Sequence, residues 1–332
     1  MDSARRPRLT PAIADVRRAV RGVLETLDEA ASPLVLVGLS GGADSLAMAA
    51  ATAFEAPRAG ARAGAVIVDH GLQAGSDAVA ERAAEQARGL GLDPVLVMRV
   101  DVDGGAGGPE AAARAARYDA FERALGETGA VGILLAHTLD DQAETVLLGL
   151  ARGSGPTSMH GMAPRSGRYL RPLLGIRRGD TVQFCADSGI EPWHDPHNAD
   201  PAYARVRVRQ SVLPVLETEL GPGVAEALAR TAEQLREDSA ALDEMVLEFI
   251  EEICEPAEAG IAVSVAALAA NPAALRQRVI RFVVQSEFGV SLDRAHTLSV
   301  ARLVTDWHGQ KALNLPGIRV ERNAGLLVFT AA

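Results

Sequence analysis

Apolar residues gather into four short, β-branched runs in the first part of the chain: LVLVG at 34–38, AVIVD at 65–69, PVLVMRV at 94–100 and VGILLAH at 131–137. Between them lie alanine-rich stretches, 44–55, 76–89 and 109–127, whose composition favours helix. Strand and helix therefore alternate. Strands that are apolar at nearly every position must be covered on both faces. The pattern predicts a doubly wound α/β domain built on a parallel sheet. In that architecture ligands bind beyond the carboxyl ends of the strands, and the polar clusters of this region follow such ends.

After about residue 215 the periodicity changes. Leu228, Leu235, Leu242, Val246, Phe249, Ile250 and Ile253 fall on one face of a long helix predicted over 224–254, whose other face is acidic. The GPG at 221–223 reads as a hinge before it. Helices are also predicted over 272–287 and 293–307, and two short strands around RNAG form a closing hairpin. The expected division is 1–215 for the α/β domain and 216–332 for a smaller, mainly helical domain ending in that hairpin. DVDGGAGGPE at 101–110 reads as a loop, either a spacer or a lid, that enters a helix at Pro109.

Composition narrows the function. A chain of 332 residues can bury the cores of two domains. The apolar stretch 259–275 is broken by Asn271 and Pro272, so no membrane span is expected. The first twenty residues lack the apolar core of a secretory signal, which leaves the cytoplasm as the expected location. Cys185 and Cys254 stand 69 positions apart with no C-x-x-C, which argues against disulfide frameworks, zinc ribbons and cysteine-held clusters. Of 33 basic residues only Lys311 is lysine, so a Walker-type phosphate lysine is excluded. The net charge of −10 is concentrated: residues 216–260 hold thirteen acids and two arginines, and the rest of the chain is nearly neutral. Residues 165–209 carry eight arginines against five acids, either a basic face or a solvated surface.

SGGADS, Ser40 to Ser45, joins a predicted strand to a predicted helix. In that setting glycines present backbone N–H groups and the positive end of a helix to an anion. Gly41 and Gly42 let phosphate oxygens approach the main chain, Ser40 and Ser45 offer hydroxyls, and Asp44 is a candidate magnesium ligand. A plain strand-to-helix turn is the structural alternative. VDHGL at 68–72 places Asp69 and His70 at the next strand end. Glu110, Arg114, Arg117, Tyr118 and Phe121 share a helix face; an arginine aimed at leaving phosphate would stabilise its charge, and a Glu110–Arg114 surface pair is the simpler reading. In AHTLDDQAET, His137, Asp140, Asp141 and Glu144 surround a helix start, suited to a metal, to an ammonium group, or merely to capping. Finally, Arg205, Arg207 and Arg209 alternate, a spacing that can neutralise successive phosphates or remain a solvated edge.

SGGADS resembles the pyrophosphate-binding loop of the N-type ATP pyrophosphatases, which split ATP between its α and β phosphates to adenylate an oxygen of their substrate. The ordered set of SGGADS, VDHGL, E-x-x-x-R-x-x-R-Y at 110–118, H-x-L-D-D-Q-x-E-T at 137–145, RGSG at 152–155, RPLLGIRR at 171–178 and DPHN…Y-x-R-x-R-x-R at 195–209 resembles the tRNA(Ile)-lysidine synthetase family. The resemblance implies a pyrophosphatase domain, a helical domain that helps hold tRNA, ATP with magnesium, and free L-lysine as co-substrate. The implied RNA is an isoleucine tRNA with a CAU anticodon; a homodimer is left open. On matching positions it implies that Ser40, Gly41, Gly42, Asp44 and Ser45 hold the ATP phosphates, Asp44 with magnesium, and that His70 lies beside the nucleotide. It further implies Arg114 at the reaction centre, Asp141 and Glu144 on the lysine ammonium or a metal, and Arg205, Arg207 and Arg209 toward tRNA. Val206 departs from the family pattern, which has asparagine there. Two other readings compete. Another N-type pyrophosphatase, such as a thiolase, needs reactive cysteines that this chain spaces badly. A non-catalytic nucleotide-binding module leaves the acids of 137–145 without a task.

Overall fold

The computed structural model describes residues 9–27, 32–71, 75–100, 109–153, 156–195, 200–257 and 260–332. The glycine loop 101–108, Ser154 and Gly155 of RGSG, and residues 196–198 of DPHN lie outside them, as does the side chain of Glu110. The chain divides into two compact units, Met1–Glu233 and Gln234–Ala332.

In the first unit the strands are β1 (Leu34–Gly38), β2 (Arg62–Asp69), β3 (Val95–Arg99), β4 (Gly132–Leu134), β5 (Arg165–Ser166) and β6 (Tyr169–Leu170). They pair in the order β3-β2-β1-β4-β6-β5, and every pairing is parallel except β5 with β6. The helices of this unit's α/β body are α1 (Pro11–Leu24), α2 (Ala43–Glu55), α3 (Ser76–Gly89), α4 (Pro109–Thr128), α5 (Leu139–Arg152) and α6 (Arg178–Ser188). The two-residue period of β1 explains both covered faces. Val35 and Val37 join the core that includes Val16 of α1, Leu46 and Met48 of α2, Ala84 of α3 and Phe184 of α6. Leu34 and Leu36 point the other way, into a core with Phe121 and Leu125 of α4 and Ile133 of β4. Each such buried aliphatic side chain contributes about 2 kcal/mol of transfer free energy.

Strand order decides where a ligand crevice can open. From β1 the chain moves outward through β2 to β3, then returns to place β4 on the opposite side of β1. The loops after β1 and β4 therefore open beside each other at the point where the order reverses, the usual ligand crevice of such sheets. Strand β6, next to β4, adds the segment that leads into α6. Beyond α6 come α7 (Ala204–Arg207), a π-helical turn at Val208–Val212, α8 (Leu213–Glu219) and α9 (Val224–Ile253), within which the boundary between the units falls.

In the second unit, strands β7 (Cys254–Ala257), β8 (Gly260–Ser264), β9 (Leu313–Leu315), β10 (Ile318–Asn323) and β11 (Leu326–Ala331) form an antiparallel sheet ordered β7-β8-β11-β10-β9. Helices α10 (Val265–Ala270), α11 (Ala273–Phe288) and α12 (Arg294–Thr305) contribute to its core, where Val279, Ile280, Val283, Val300 and Leu303 meet Val263, Ile318, Val320, Leu327 and Phe329. The hairpin expected around RNAG is β10–β11, turned by Ala324 and Gly325 at positive φ. The sheet is larger than that hairpin. Residues 254–264 supply two more strands, which short, small-residue segments beside long helices do not announce. Among the described residues no helix is long and apolar enough to cross a membrane.

One close approach fixes how α5 meets the turn after it. A Cβ on Gly149 would lie 2.0 Å from the Ser158 carbonyl oxygen, and the Ser158 hydroxyl donates back to the Gly149 carbonyl at 3.3 Å. Gly149→Ala should therefore cost about 2 kcal/mol of unfolding free energy by overpacking, measurable by urea denaturation with an unchanged m-value.

Candidate functional site

The loop from β1 to α2 is shaped by glycine. Gly41 sits at φ +82°, a left-handed conformation that side chains disfavour, and Gly42 caps α2 in an extended conformation. No side chain caps the first turn of α2, so its N–H groups and the positive end of the helix remain available to an anion. Ser45 Oγ accepts from the Ser40 N–H at 3.2 Å and donates to the Gly42 carbonyl at 3.0 Å, while Ser40 Oγ lies 3.2 Å from it. The Trp193 N–H closes the outer side by donating to the Gly41 carbonyl at 2.9 Å. Ser40, Gly41, Gly42, Asp44 and Ser45 thus occupy one cradle at a strand end.

Asp44 is partly buried, its side chain 25% exposed. Burial raises its carboxyl above the ordinary range, against the opposing pull of the Thr181 hydroxyl, which donates to Oδ1, and of Arg178, whose Nε is 3.3 Å from Oδ2. The Thr181 hydroxyl and Arg178 come from α6, over 130 residues away in sequence.

Arg178 is the junction of the site. Its Nη2 donates to Asp141 Oδ1 at 2.7 Å and its Nη1 to Glu144 Oε1 at 3.3 Å, so each guanidinium nitrogen meets a different carboxylate. Its own backbone N–H is held by Asp140 Oδ2 at 2.7 Å. Burial opposes the Arg178 charge, but Asp141, Asp44 and Glu144 together hold its pKa above the ordinary value. Asp141 also closes a capping box at the start of α5: its Oδ2 accepts from the Thr138 N–H at 2.8 Å and the Thr138 hydroxyl at 2.9 Å. Burial works against its ionisation; Arg178 and the Thr138 donors override that and keep its carboxyl below the usual range. Asp141 therefore caps α5 and at the same time pairs with Arg178 and Arg209.

Glu144 is fully buried and is met by three arginines. Arg209 Nε lies 2.7 Å from Oε1 and Nη2 3.0 Å from Oε2, Arg205 Nε lies 3.4 Å from Oε2, and Arg178 completes the set. The alternating arginines are thus sorted by a helical turn. Arg205 and Arg209, four apart on α7 and the adjoining π-turn, share the inward face, and Arg205 also donates to the Thr145 hydroxyl at 2.7 Å. Arg207 is exposed and donates to the Pro201 and Ala202 carbonyls at 2.7 and 2.8 Å. Val206, at the departure from the family pattern, is buried.

Two further predicted residues flank this cluster. Arg114 is exposed on α4, its guanidinium 5.0 Å from the Tyr118 ring. His70 directly follows β2, partly buried, with no partner for Nδ1 among the described residues, and burial lowers its pKa. His137, one residue before the Thr138 cap, also has a buried Nδ1 without a partner. Burial, aided by Arg171, Arg205 and Arg114 against the pull of Asp141, brings its pKa down to about 4. Arg178 stands within RPLLGIRR, but nothing local assigns it a role of its own; Thr181 lies just beyond that motif and carries no signal. Cys185, whose thiol burial pushes up to about 11, is no thiolate nucleophile.

A cavity of about 150 Å³ opens beside the cluster, lined by Asp140, Glu144, Arg177, Arg178, Arg209 and Glu217 on its charged side and by Leu213, Pro214 and Ala225 on its apolar side. The residues fit magnesium in the limited way that nucleotide chemistry requires. Among the described residues no group of three or more His, Cys, Asp or Glu could cage a metal, but magnesium bound with ATP draws only one or two carboxylates from the protein and the rest from phosphate. Asp44, beside the cradle, is placed to supply such a carboxylate.

The glycine cradle at a sheet's switch point defines a nucleotide-binding α/β enzyme of the PP-loop class, and the PP-loop domain model matches residues 16–216. The TilS substrate binding domain model matches residues 264–327. The tRNA(Ile)-lysidine synthase of Leifsonia xyli subsp. xyli is 69% identical over 297 residues, covering 89% of each chain. That of Thermobifida fusca is 50% identical over 324 residues, covering 97% of this chain and 98% of its own. The chain belongs to the tRNA(Ile)-lysidine synthase family. Among solved structures, the U34-tRNA thiolase NcsA of Methanococcus maripaludis shares the fold, with a TM-score of 0.55 and 20% identity over 68% of this chain and 80% of that one.

The His137 environment sets a pH dependence. An unfolded histidine takes a proton near pH 6.5 whereas His137 in the fold does so only near 4, so stability is retained above pH 6.5 and lost as pH falls from there toward 4. His137→Gln has no such proton to bind. Its unfolding free energy should fall less than the wild type's across that window, by on the order of 2 kcal/mol after discounting for partial exposure, as read by thermal melts at stepped pH.

Proposed function

We propose that this protein attaches free L-lysine to the 2-carbon of the wobble cytidine in an isoleucine tRNA with a CAU anticodon, using ATP. The observation that carries the reading is the convergence of Asp44, from the phosphate cradle, and of Asp141 and Glu144, from the amine-suited helix, on the single guanidinium of Arg178. An ATP site and an amine site thereby share one locus.

Chemistry of this kind needs both. The cytidine 2-oxygen is a poor leaving group; its attack on the ATP α-phosphorus releases pyrophosphate and converts it to an adenylate. The lysine ε-nitrogen then bonds to C2, the C2–O bond breaks, and the oxygen leaves with AMP. Ser40, Gly41, Gly42 and Ser45 would bind the phosphates through N–H and hydroxyl groups, with His70 beside the nucleotide. Asp44 would hold magnesium, which neutralises phosphate charge when bound. Arg114 would stabilise the negative charge that develops as pyrophosphate departs.

The cavity beside Glu144 suits lysine in size and in kind. Leu213, Pro214 and Ala225 offer an apolar wall for its methylenes, Arg177 a partner for its carboxylate, and Asp141 with Glu144 a partner for its ammonium. A carboxylate of that pair can also accept the proton the amine must lose. Exposed Arg207, with the accessible edges of Arg205 and Arg209, would take phosphates of the anticodon arm, and the wobble base must be splayed from its loop to be read at its edges.

Incubation with ATP, magnesium, labelled lysine and CAU-anticodon tRNA should transfer label to RNA with release of AMP. Cleavage of ATP to AMP without lysine incorporation would instead assign a different PP-loop reaction, and binding without turnover a non-catalytic module. Asp44→Asn should lower AMP formation at least about a hundredfold, the scale of losing one charge-positioning group, while far-UV circular dichroism stays unchanged.

A further inference from the structure

The charge balance of the site poses a problem for its substrate. Asp44, Asp141 and Glu144 face Arg178, Arg205 and Arg209, three carboxylates against three guanidinium groups. An incoming ammonium can reach Asp141 and Glu144 only by taking over contacts that a guanidinium now makes. One of the arginines must release the acids when lysine binds.

We propose that Arg178 is that residue: its guanidinium holds the cation subsite between Asp141 and Glu144 until the ε-ammonium of lysine replaces its Nη1 and Nη2 contacts. The inference rests on the lysine reading of these two acids. Arg178 shares two features with Arg209, the bridge across the acid pair and a place on the cavity wall; its anchor on Asp44 and its pinned backbone set it apart. It bridges the acid pair, at 2.7 Å to Asp141 and 3.3 Å to Glu144, as an ammonium shared by both would. It lines the cavity next to the pair. It has a second anchor, since Nε already rests on Asp44. Its backbone is pinned by Asp140 and its carbonyl accepts from the Thr181 hydroxyl at 2.8 Å, so the side chain can move without the helix start moving. Arg205, by contrast, spends its second contact on Thr145, and Arg209 grips both oxygens of Glu144.

Arg178 is thus a positioning and selectivity residue. It keeps Asp141 and Glu144 aligned before substrate arrives, and it lowers the apparent affinity for any cation unable to displace a guanidinium. Because it also touches Asp44, the exchange links occupancy of the amine subsite to the carboxylate of the ATP cradle, and such a linkage is reciprocal.

The test measures lysine binding by calorimetry in the full chain. Arg178→Gln should bind lysine about fivefold more tightly, since no internal cation must be displaced, while kcat falls because Asp44 and Asp141 lose their common tie. Guanidinium ion should compete with lysine in this variant at concentrations without effect on the wild type. Arg178→Lys, which retains a cation, should bind lysine within about twofold of wild type. Unchanged or weaker lysine binding in folded Arg178→Gln overturns the proposal, and so does the gain appearing in Arg209→Gln instead. Should Arg178→Gln fail to fold, arginine side-chain nitrogen-15 spectra of the wild type decide: lysine should shift the Arg178 Nε signal, assigned with Arg178→Lys, and an unmoved signal at saturating lysine overturns the proposal. Asp141→Asn separates the two levels of the argument. If it leaves lysine binding unchanged, the lysine reading itself fails and takes the proposal with it; if it weakens binding while Arg178→Gln has no effect, the role of Arg178 alone is overturned.

Discussion

Burying a carboxylate completely is costly unless cations meet it, and the first unit is organised around meeting that requirement at Glu144. Three arginines reach it from two segments, α6 and the α7 turn, and two of them also hold Asp141. Removing any member would leave opposite charge unmatched in a confined space. The cluster therefore fixes α6 and the arginine-bearing turn onto α5 more specifically than the apolar contacts among Leu139, Val208 and Leu213 could do alone. Hydrophobic contact sets proximity here; charge matching sets register.

That arrangement depends in turn on strand order. Because β1 stands between β2 and β4, the cradle and the acidic helix start from neighbouring strand ends, and β6 delivers Arg178 from the next position along. Three separate strand-end segments thus contribute one component each: a glycine cradle, a pair of carboxylates, and a guanidinium that touches Asp44 of the first and both acids of the second. Rearranging any strand would separate the components without altering a single motif, which is why the fold and the chemistry are inseparable in this unit.

The sequence made the pieces legible but not their pairing. The continuous apolar run LVLVG and the alanine-rich intervals pointed to the doubly wound sheet, and S-G-G-x-D-S pointed to the cradle, since each is a local pattern. The ties of Asp44 to Arg178 and Thr181 span 134 and 137 residues, and no local pattern encodes such a contact. The arginine alternation illustrates the same limit. Spacing of two suggested a row facing phosphate, yet in a helical segment it divides Arg205 and Arg209 from Arg207. The strands of 254–264 were hidden for a different reason: Ile261 and Val263 alternate over only five residues within an alanine-rich, helix-favouring stretch, and their pairing with β11 decides their conformation.

Charge segregation completes the picture. The surplus of acid lies in 216–260, whereas the acids of the site are matched by arginine nearly one for one. A polyanion approaching the first unit therefore does not meet the chain's net charge of −10 at the place where chemistry is proposed. It meets a locally balanced surface with Arg114 and Arg207 exposed. Within a Debye length of about 8 Å at physiological salt, local balance outweighs net charge, so an acidic protein can present an RNA-compatible face.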